Sequence, residues 1–270
     1  MHGPRDPVWA DYLDAALPIA LAAGDLLARR LGEQRSVELK GEINLVTEMD
    51  RQAEELIVSR LTAAFPGFGI VAEEGAQHRV QSEYVWYVDP LDGTTNYAHG
   101  LPIFCVSLGL WRGDNPVCGV VYHPMGQETF TAVSGGGAYL NGRRLAVSSQ
   151  PDLGSAILAT GFPYDIRRTD VDNLDHFARF AKRAQAIRRM GAAALDMAWT
   201  AAGRFDGFWE MKLSPWDIAA GALLCLEAGA IVTDFRGEPF TLAKGQAIAA
   251  NAILHQHMLE IIAPGKFPAA

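Results

Sequence analysis

Five short segments with the composition of β-strands follow one another between Ile103 and Ala146. Glycine-rich turns separate them, and Asn141-Gly142 is a strong signal for a two-residue hairpin turn. Strands joined by such short turns pair with their neighbours in sequence, so this region predicts a meandering antiparallel sheet. The predicted strands are Phe104–Trp111, Val117–His123, Glu128–Ser134, Ala138–Leu140 and Arg143–Ala146.

Two helices are predicted before this sheet. From Val8 to Leu31, leucine, isoleucine and alanine recur at helical spacing, and two arginines near the end complement the helix dipole. A similar pattern covers residues 50–65, and Pro66-Gly67 ends that helix. The polar segment Ser36–Val46 between them is expected to form a loop or a hairpin.

The second half of the chain alternates between predicted strands and predicted helices, a pattern typical of a layered α/β unit. The sequence therefore predicts an α/β (α+β) protein whose two lobes share a cleft. The lobes would comprise residues 1–150 and 151–270, as one compact unit with a soft boundary near 146–156. The predicted strands are Ile157–Thr160, Ala186–Arg189, Phe205–Trp209, Ala230–Thr233 and Ala247–Ala250, and the predicted helices are Val171–Arg183, Ala192–Ala202, Pro215–Ala228 and Ile253–Ile262.

Composition narrows the class of protein. A net charge of −8 and a pI near 5.4 argue against a general nucleic-acid-binding surface and are compatible with an acidic cleft that collects cations. No uncharged apolar run reaches membrane-spanning length, and the first residues lack a secretory signal pattern, so we expect a cytoplasmic protein without membrane association. Cys105, Cys118 and Cys225 each lie in an apolar run and are expected to be buried free thiols.

A buried strand is predicted over Tyr84–Val88, and two carboxylates follow it. We expect the strand to stop at Asp89 and a turn through Pro90 to supply Asp92. Ligands bind at strand ends in α/β proteins, and paired carboxylates are hard oxygen ligands suited to Mg²⁺. If Gly93-Thr94-Thr95 opens a helix, its free backbone N–H groups face an anion. This segment therefore suggests a metal site beside a phosphate-binding turn.

Further carboxylates lie at the ends of other predicted elements. The strand Gly69–Ala72 ends at Glu73-Glu74, and Asp217 falls in the first turn of a helix that Ser214 is expected to cap. Taken alone, Asp217 is explained as an acid that offsets the helix dipole, and the other carboxylates as solvated turns or loop starts. Their occurrence together with the D-x-x-D-G-T-T pattern favours one shared metal site.

Other chemistries fit the sequence less well. A phosphatase that forms an aspartyl-phosphate needs D-x-D at its strand end, whereas this chain has D-x-x-D, and no G-x-S-x-G elbow supports a serine hydrolase. His255-x-His257 has no partners at zinc spacing and is expected on the surface. Arg188-Arg189 is interpreted as a basic pair at a strand edge, with a role toward a substrate or partner as the alternative.

Three motifs of the chain occur together in one known family. They are Ala72-Glu73-Glu74, Val88-Asp89-Pro90-Leu91-Asp92-Gly93-Thr94-Thr95-Asn96 and Pro215-Trp216-Asp217-Ile218-Ala219-Ala220-Gly221. With them the chain resembles the inositol monophosphatase family of Mg²⁺-dependent phosphatases, and it looks closest to the bacterial inositol-1-monophosphatase branch. The resemblance extends from about Asn44 to Asn251. It implies a layered αβαβα sandwich of the inositol monophosphatase and fructose-1,6-bisphosphatase type.

The resemblance also implies roles for individual residues. The first Mg²⁺ would be held by Glu73, Asp89 and the backbone carbonyl of Leu91, and the second by Asp89, Asp92 and Asp217. The catalytic residues would be Glu73 and Thr94, with Thr94 hydrogen-bonded to Asp50 so that it helps to orient the attacking water. Lys40 lies near the position of a mobile lysine in the family, at a spacing that differs by one residue. Substrate contacts would come from Gly93, Thr94, Thr95, Gly191, Ala192, Ala193, Glu210 and Asp217.

The function expected from this resemblance is hydrolysis of myo-inositol 1-phosphate, or a similar small polyol phosphate, with two or three Mg²⁺ ions in each active site. Fructose-1,6-bisphosphatase, histidinol phosphatase and nucleotide 3′-phosphatase activities are the alternatives within the class. A non-enzymatic alternative is a regulatory protein that associates with the transcription machinery. The family further implies a homodimer and inhibition by Li⁺.

Overall fold

The computed structural model describes residues 7–32, 37–39 and 45–263. Its helices are α1 (Pro7–Arg30), α2 (Glu48–Ala64), α3 (Thr94–Ala98), α4 (Leu174–Ala181), α5 (Ala193–Ala201), α6 (Pro215–Glu227) and α7 (Ala252–Ile262). Its strands are β1 (Val37–Leu39), β2 (Leu45–Thr47), β3 (Gly69–Ala72), β4 (Gln77–His78), β5 (Tyr84–Asp92), β6 (Cys105–Arg112), β7 (Asn115–His123), β8 (Glu128–Val133), β9 (Gly137–Leu140), β10 (Arg143–Arg144), β11 (Ile157–Thr160), β12 (Ala186–Arg188), β13 (Gly207–Met211), β14 (Ile231–Thr233) and β15 (Gln246–Ala250).

The predicted meander forms most of the first sheet. Its strand order is β10-β9-β8-β7-β6-β5-β3-β4, and every pair from β5 to β10 is antiparallel, which confirms the prediction. The strand β3 lies parallel to β5, so the carboxyl ends of these two strands meet at the same edge of the sheet. That edge carries Glu73 and Asp89.

A second, mixed sheet follows the order β12-β11-β13-β15-β14. The strand β11 is parallel to both of its neighbours, and β15 is antiparallel to β13 and β14. The predicted alternation of strands and helices in this half is confirmed.

The helices and sheets stack as five layers, α, β, α, β, α, as the resemblance implies. Helices α1 and α2 pack on one face of the first sheet, α5 and α6 lie between the two sheets, and α4 and α7 cover the far face of the second sheet. Glycine allows the middle layer to lie close: a Cβ at Gly109 on β6 would lie 2.7 Å from the Ala219 Cβ on α6. This contact brings the start of α6 to the carboxyl ends of β3 and β5.

The central core draws on both halves of the chain. Val121 and Phe130 from the first sheet share it with Leu195 and Leu223 from the middle helices, and all four are buried. The first sheet ends at Arg144, and the second begins at Ile157. The division into lobes 1–150 and 151–270 stays a prediction.

Three local findings bear on the sequence predictions. The segment predicted as a loop or hairpin forms the antiparallel pair β1 and β2, while Lys40 and Asn44 lie outside the described residues. The three cysteines are buried free thiols, as predicted. His255 is buried, not on the surface, because it lies on the core face of α7 between Leu254 and Met258, where its Nε2 is 2.9 Å from the Thr233 hydroxyl. No described helix is long and apolar enough to cross a membrane.

Candidate active site

The site begins at an irregularity in β5. Asp89 pairs with Ser107 and Asp92 with Cys105, so three residue steps on β5 face two on β6 and the strand bulges at Pro90 and Leu91. Proline has no N–H to give to the ladder, and bulges re-aim the side chains beside them. The prediction that β5 stops at Asp89 is therefore wrong: the strand continues to Asp92, and both carboxylates are held by the sheet.

Glu73 reaches this bulge from the neighbouring strand. It follows β3, whose last residue, Ala72, is paired with Val88, so Glu73 lies beside Asp89. The Glu73 N–H donates to the Val88 carbonyl at 3.2 Å, which continues the ladder one residue past β3. Two carboxylates that are 16 positions apart in sequence thus become neighbours.

A glycine turn follows the bulge and starts α3. Gly93 has φ of 97°, and a Cβ there would lie 2.9 Å from the Ile103 carbonyl oxygen, so both conformation and space require glycine. The next residue, Thr94, has its hydroxyl 2.8 Å from Asp50 Oδ1 on α2 and 3.1 Å from the Leu91 carbonyl oxygen. The Thr94–Asp50 hydrogen bond that the resemblance implies is present.

Asp217 enters the site from the middle helical layer. It lies in the first turn of α6, where its Oδ2 accepts a 2.7 Å hydrogen bond from the N–H of Ser214, the N-cap, and Pro215 occupies the first helical position. The positions of Ser214 and Pro215 are those that the sequence predicts, and the hydrogen bond to Asp217 adds a reciprocal cap. Capping therefore fixes the carboxylate of Asp217 at the end of a rigid helix.

These elements surround a cavity of about 220 Å³. Its floor carries the carboxylates of β3, β5 and α6, and its far wall comes from the end of β11, the segment before α5, and β13. The lining residues are Glu73, Asp89, Leu91, Asp92, Gly93, Thr94, Gly161, Phe162, Pro163, Tyr164, Arg189, Gly191, Ala192, Ala193, Asp196, Glu210, Met211, Lys212, Leu213, Ser214, Trp216 and Asp217.

Burial and mutual repulsion raise the pKa values of Asp89 and Asp217. The pKa of Asp89 lies well above its ordinary value because the group is buried and because Glu73, Asp92 and Asp217 repel its charge. Burial and the negative charges of Glu73 and Asp92 raise the pKa of Asp217 in the same way. A bound cation would remove this penalty, since it stabilises the charged form of every carboxylate near it.

Asp92 is also the link between the first sheet and the middle layer. Burial raises its pKa to about 6, and hydrogen bonds from the N–H groups at the start of α5 limit the rise. Its Oδ2 accepts from Ala194 N–H at 2.7 Å and its Oδ1 from Ala193 N–H at 3.2 Å. The same carboxylate therefore faces the floor of the cavity and fixes the segment that forms its wall.

Two further buried carboxylates, Glu210 and Asp196, line the same cavity together with the exposed Arg189. Burial raises the pKa of Glu210 to about 8, although Arg189 lowers it, and burial and the charge of Glu210 raise the pKa of Asp196 well above its ordinary value. Asp196 Oδ1 is buried without a hydrogen-bond partner. Two acidic side chains and one cation thus face a small polar cavity, where substrate hydroxyl groups could donate to the carboxyl oxygens.

Whether the floor fits a metal depends on the chemistry of its donors. Carboxylate and carbonyl oxygens are the ligands that Mg²⁺ prefers, and the floor offers four carboxylates and the Leu91 carbonyl. One carboxylate oxygen of Asp89 accepts a hydrogen bond from Leu91 N–H, and one of Asp217 accepts a hydrogen bond from Ser214 N–H. In the conformation of the described residues, no three Asp, Glu, His or Cys side chains are already arranged around one ion. The chemistry of the donor set fits Mg²⁺.

The structure brings together most of the residues that the sequence singles out. Glu73, Asp89, Leu91, Asp92, Gly93, Thr94, Gly191, Ala192, Ala193, Glu210 and Asp217 all line one cavity. Asp50 lies behind the cavity wall, where it contacts Thr94, and Thr95 is exposed and lies outside the lining.

Sequence reasoning gave no role to several other residues of the site. Gly161, Tyr164 and Asp196 line the cavity, and Glu54 hydrogen-bonds the turn after Glu73. Arg189 also lines it, which favours the alternative interpretation of the Arg188-Arg189 pair. The pKa of Tyr164 is raised by burial of its hydroxyl group and by the negative charges of the floor carboxylates. Asp196 lies in the stretch Gly191–Asp196, which resembles the family, but its type and spacing alone indicated no role.

Comparisons with known proteins agree on the family. The model of the inositol monophosphatase family matches residues 9–264. The Nus factor SuhB of Pseudomonas aeruginosa is 45% identical, over 93% of this chain and 96% of its own, and the inositol-1-monophosphatase of Mesorhizobium japonicum is 42% identical, over 93% and 95%. The crystal structure of the extragenic suppressor protein suhB from Bartonella henselae superposes with a TM-score of 0.89 and 39% identity, covering 94% of this chain and 99% of that one. The chain therefore belongs to the inositol monophosphatase family, whose members are phosphatases that hydrolyse phosphomonoesters.

Proposed function

We propose that the protein is a Mg²⁺-dependent phosphomonoesterase that releases inorganic phosphate from myo-inositol 1-phosphate or a similar small polyol phosphate. The observation that carries the proposal is the convergence of four carboxylates from β3, β5 and α6 on one cavity floor, beside the Thr94 hydroxyl. A phosphate monoester carries nearly two negative charges, so a floor of carboxylates can receive it only with cations between them.

The family resemblance implies which residues would hold each ion, and all of these residues line the cavity. Glu73, Asp89 and the Leu91 carbonyl would hold the first Mg²⁺, and Asp89, Asp92 and Asp217 the second, so that Asp89 serves both. When bound, the ions would neutralise the phosphate charge, lower the pKa of a water and stabilise the leaving alkoxide. The sheet bulge and the capped start of α6 hold these side chains in place before binding.

Thr94 has the geometry to orient the attacking water. Its hydroxyl proton points to Asp50 Oδ1 at 2.8 Å, so the lone pairs of Thr94 Oγ1 remain to accept a hydrogen bond from that water. A water that donates to Thr94 would keep its own lone pairs for attack on the phosphorus atom. Asp50, 1% exposed, thus acts through Thr94 and does not touch the substrate.

The two ends of the substrate would meet different walls. Gly93 and Thr94 present the N–H groups that start α3, which have no partner inside the helix and suit phosphate oxygens. Glu210 and the segment Gly191–Ala193 line the same cavity, where hydroxyl groups of a polyol would reach them. A cavity of about 220 Å³ lies below the range of about 300–1,000 Å³ that is typical for drug-sized ligands, which favours a small polyol over a nucleotide.

Turnover of a panel of phosphate esters with Mg²⁺ tests the proposal. The panel would contain inositol 1-phosphate, fructose 1,6-bisphosphate, histidinol phosphate and a nucleoside 3′-phosphate. We expect the highest kcat/KM on inositol 1-phosphate, and its loss in Asp89→Asn but not in the exposed control Asp114→Asn. A higher kcat/KM on another ester would reassign the substrate, and Mg²⁺-independent turnover would refute the mechanism.

The 45% identity to a protein named Nus factor SuhB supports a second candidate function, association with the transcription machinery. Binding of purified RNA polymerase, compared between the wild type and Asp89→Asn, separates the two functions. Binding that survives this substitution would show a role independent of turnover, and no binding at micromolar concentrations would reject it.

The family further suggests a homodimer, two or three Mg²⁺ ions per site and inhibition by Li⁺, and we propose these for this protein as well. Light scattering of the purified chain measures the first. Titration calorimetry counts the ions, and turnover in LiCl compared with NaCl at equal ionic strength measures the inhibition.

A further inference from the structure

Helix α2 carries two buried carboxylates one turn apart. Asp50 is 1% exposed and Glu54 is 7% exposed. Like charges four residues apart on a helix destabilise it, and burying a carboxylate is costly unless it is hydrogen-bonded. Hydrogen-bond partners elsewhere in the fold must therefore offset the cost of burying both carboxylates. The partners of Glu54 lie next to the predicted metal ligand Glu73.

The Glu54 side chain accepts two hydrogen bonds from the turn that follows Glu73. Its Oε2 accepts a 2.7 Å hydrogen bond from Glu74 N–H, and its Oε1 accepts a 3.1 Å hydrogen bond from Ala76 N–H. Between these two donors, Gly75 adopts φ of 112°, which reverses the chain, and Ala72 N–H donates to the Ala76 carbonyl across the turn. One side chain thus satisfies two N–H groups of a five-residue turn.

The backbone of Glu73 is consequently held from both sides. On one side its own N–H donates to Val88 in the sheet, and on the other side the next N–H donates to Glu54. Exposed turns move more than the sheets that they connect. The hydrogen bonds to Glu54 remove that freedom at the residue that would bind the first cation.

We propose that Glu54 is a positioning residue that holds Glu73 in place for Mg²⁺. The inference rests on the proposed function, because it takes Glu73 as a ligand. Glu54 and Asp50 then act from one face of α2 on two parts of the same site, Glu54 on the Glu73 turn and Asp50 on Thr94. This shared role accounts for two buried carboxylates on one helix.

Calorimetric titration of Mg²⁺ into the substrate-free protein tests the proposal. In Glu54→Gln, the amide group faces one of the two N–H donors and only one hydrogen bond survives. We expect the Kd for Mg²⁺ to rise about tenfold, the lower end of what the loss of a ligand-supporting group costs, while kcat at saturating Mg²⁺ stays within about threefold. The control Glu55→Gln removes the same charge from an exposed position of α2 and leaves the Kd unchanged.

A wild-type Kd in Glu54→Gln would overturn the inference, even if that variant melts at a lower temperature, since the role would then be structural alone. An equal rise of the Kd in Glu55→Gln would also overturn it, because net charge would be the cause. If Glu54→Gln does not fold, Glu54→Asp replaces it: the shorter side chain keeps the charge but cannot reach both N–H groups, and an unchanged Kd would reject the proposal. A wild-type protein that neither binds Mg²⁺ nor needs it for turnover would refute the proposed function together with this inference.

Discussion

Gly161 offers a substitution that moves one wall of the site and leaves the floor intact. It is buried at the end of β11, and a Cβ built there would lie 2.0 Å from Glu210 Oε1 and 2.6 Å from Oε2. Ordinary contact with a Cβ begins at 3.4 Å, so Gly161→Ala must displace the Glu210 carboxyl by about 1.4 Å. Gly161 is not among the positive-φ glycines, and its backbone therefore accepts alanine without strain.

A displacement of about 1 Å at a substrate-positioning group can cost roughly 100-fold in rate. We therefore expect Gly161→Ala to lower kcat/KM for inositol 1-phosphate about 10- to 100-fold. On p-nitrophenyl phosphate, which has no polyol hydroxyls, kcat/KM should stay within about threefold, because the phosphate end of the site is unchanged. The rise in melting temperature on adding Mg²⁺ should also stay the same.

Gly67→Ala is the matched control, since Gly67 is exposed and nothing lies within 4 Å of a Cβ there. Steady-state kinetics on both esters for the three proteins decide the outcome. An equal loss on both esters would place the effect on the metal floor or the fold and refute the reasoning. Unchanged kinetics on inositol 1-phosphate would remove Glu210 from the polyol site.

Three further predictions concern other parts of the molecule. Thr94→Val should lower kcat about 100-fold in steady-state assays while the Mg²⁺-induced rise in melting temperature persists, because only the orientation of the water is lost. Asn173→Asp should lower the free energy of unfolding in urea by about 3 kcal/mol, since a carboxylate would replace the amide that donates to Thr160 Oγ1 and to the Gly161 carbonyl. Asp234 accepts from two N–H groups and from Lys244, and these contacts lower its pKa. A carboxyl with a lowered folded-state pKa stabilises the fold above its unfolded-state pKa and loses this contribution as pH falls through the folded-state pKa. Asp234→Asn should therefore be less stable than the wild type at pH 7, and the difference in the free energy of unfolding should shrink as the pH falls below about 4, the ordinary pKa of an aspartate.

The long, periodic elements could be predicted from the sequence because their pattern is local. The predicted strand Gly69–Ala72 coincides with β3, and the predicted helix Pro215–Ala228 differs from α6 by one residue. Proline at the first helical position and glycine shortly after the last residue are local signals of this helix.

The continuation of β5 to Asp92 could not be predicted, because its cause is not local. A proline after a strand is typical of a turn, and only pairing with Ser107 and Cys105 turns this one into a bulge. The burial of His255 had an available signal, since it shares the helical spacing of Leu254 and Met258.

The metal ligands predicted from the resemblance line one cavity. They could be predicted because they follow strand ends and helix starts, which are recognisable in sequence. The residues that support these ligands cannot be recognised in the same way. Glu54 contacts a turn 20 positions away, and Asp196 belongs to the site only because α5 lies between the two sheets. Such contacts depend on the stacking of layers, on which helical spacing carries no information.

The hydrogen bonds from Ala193 and Ala194 to Asp92 have a consequence for how proteins of this shape diverge. A descendant that kept a binding role and lost hydrolysis would no longer need Glu73 as a metal ligand, whereas Asp92 would still accept the hydrogen bonds from the start of α5. Exchanging that carboxylate uncaps α5 and loosens the junction between the sheet and the middle layer. Selection for a stable fold alone would retain this aspartate. The presence of Asp92 in a relative is therefore weaker evidence for turnover than the presence of Glu73.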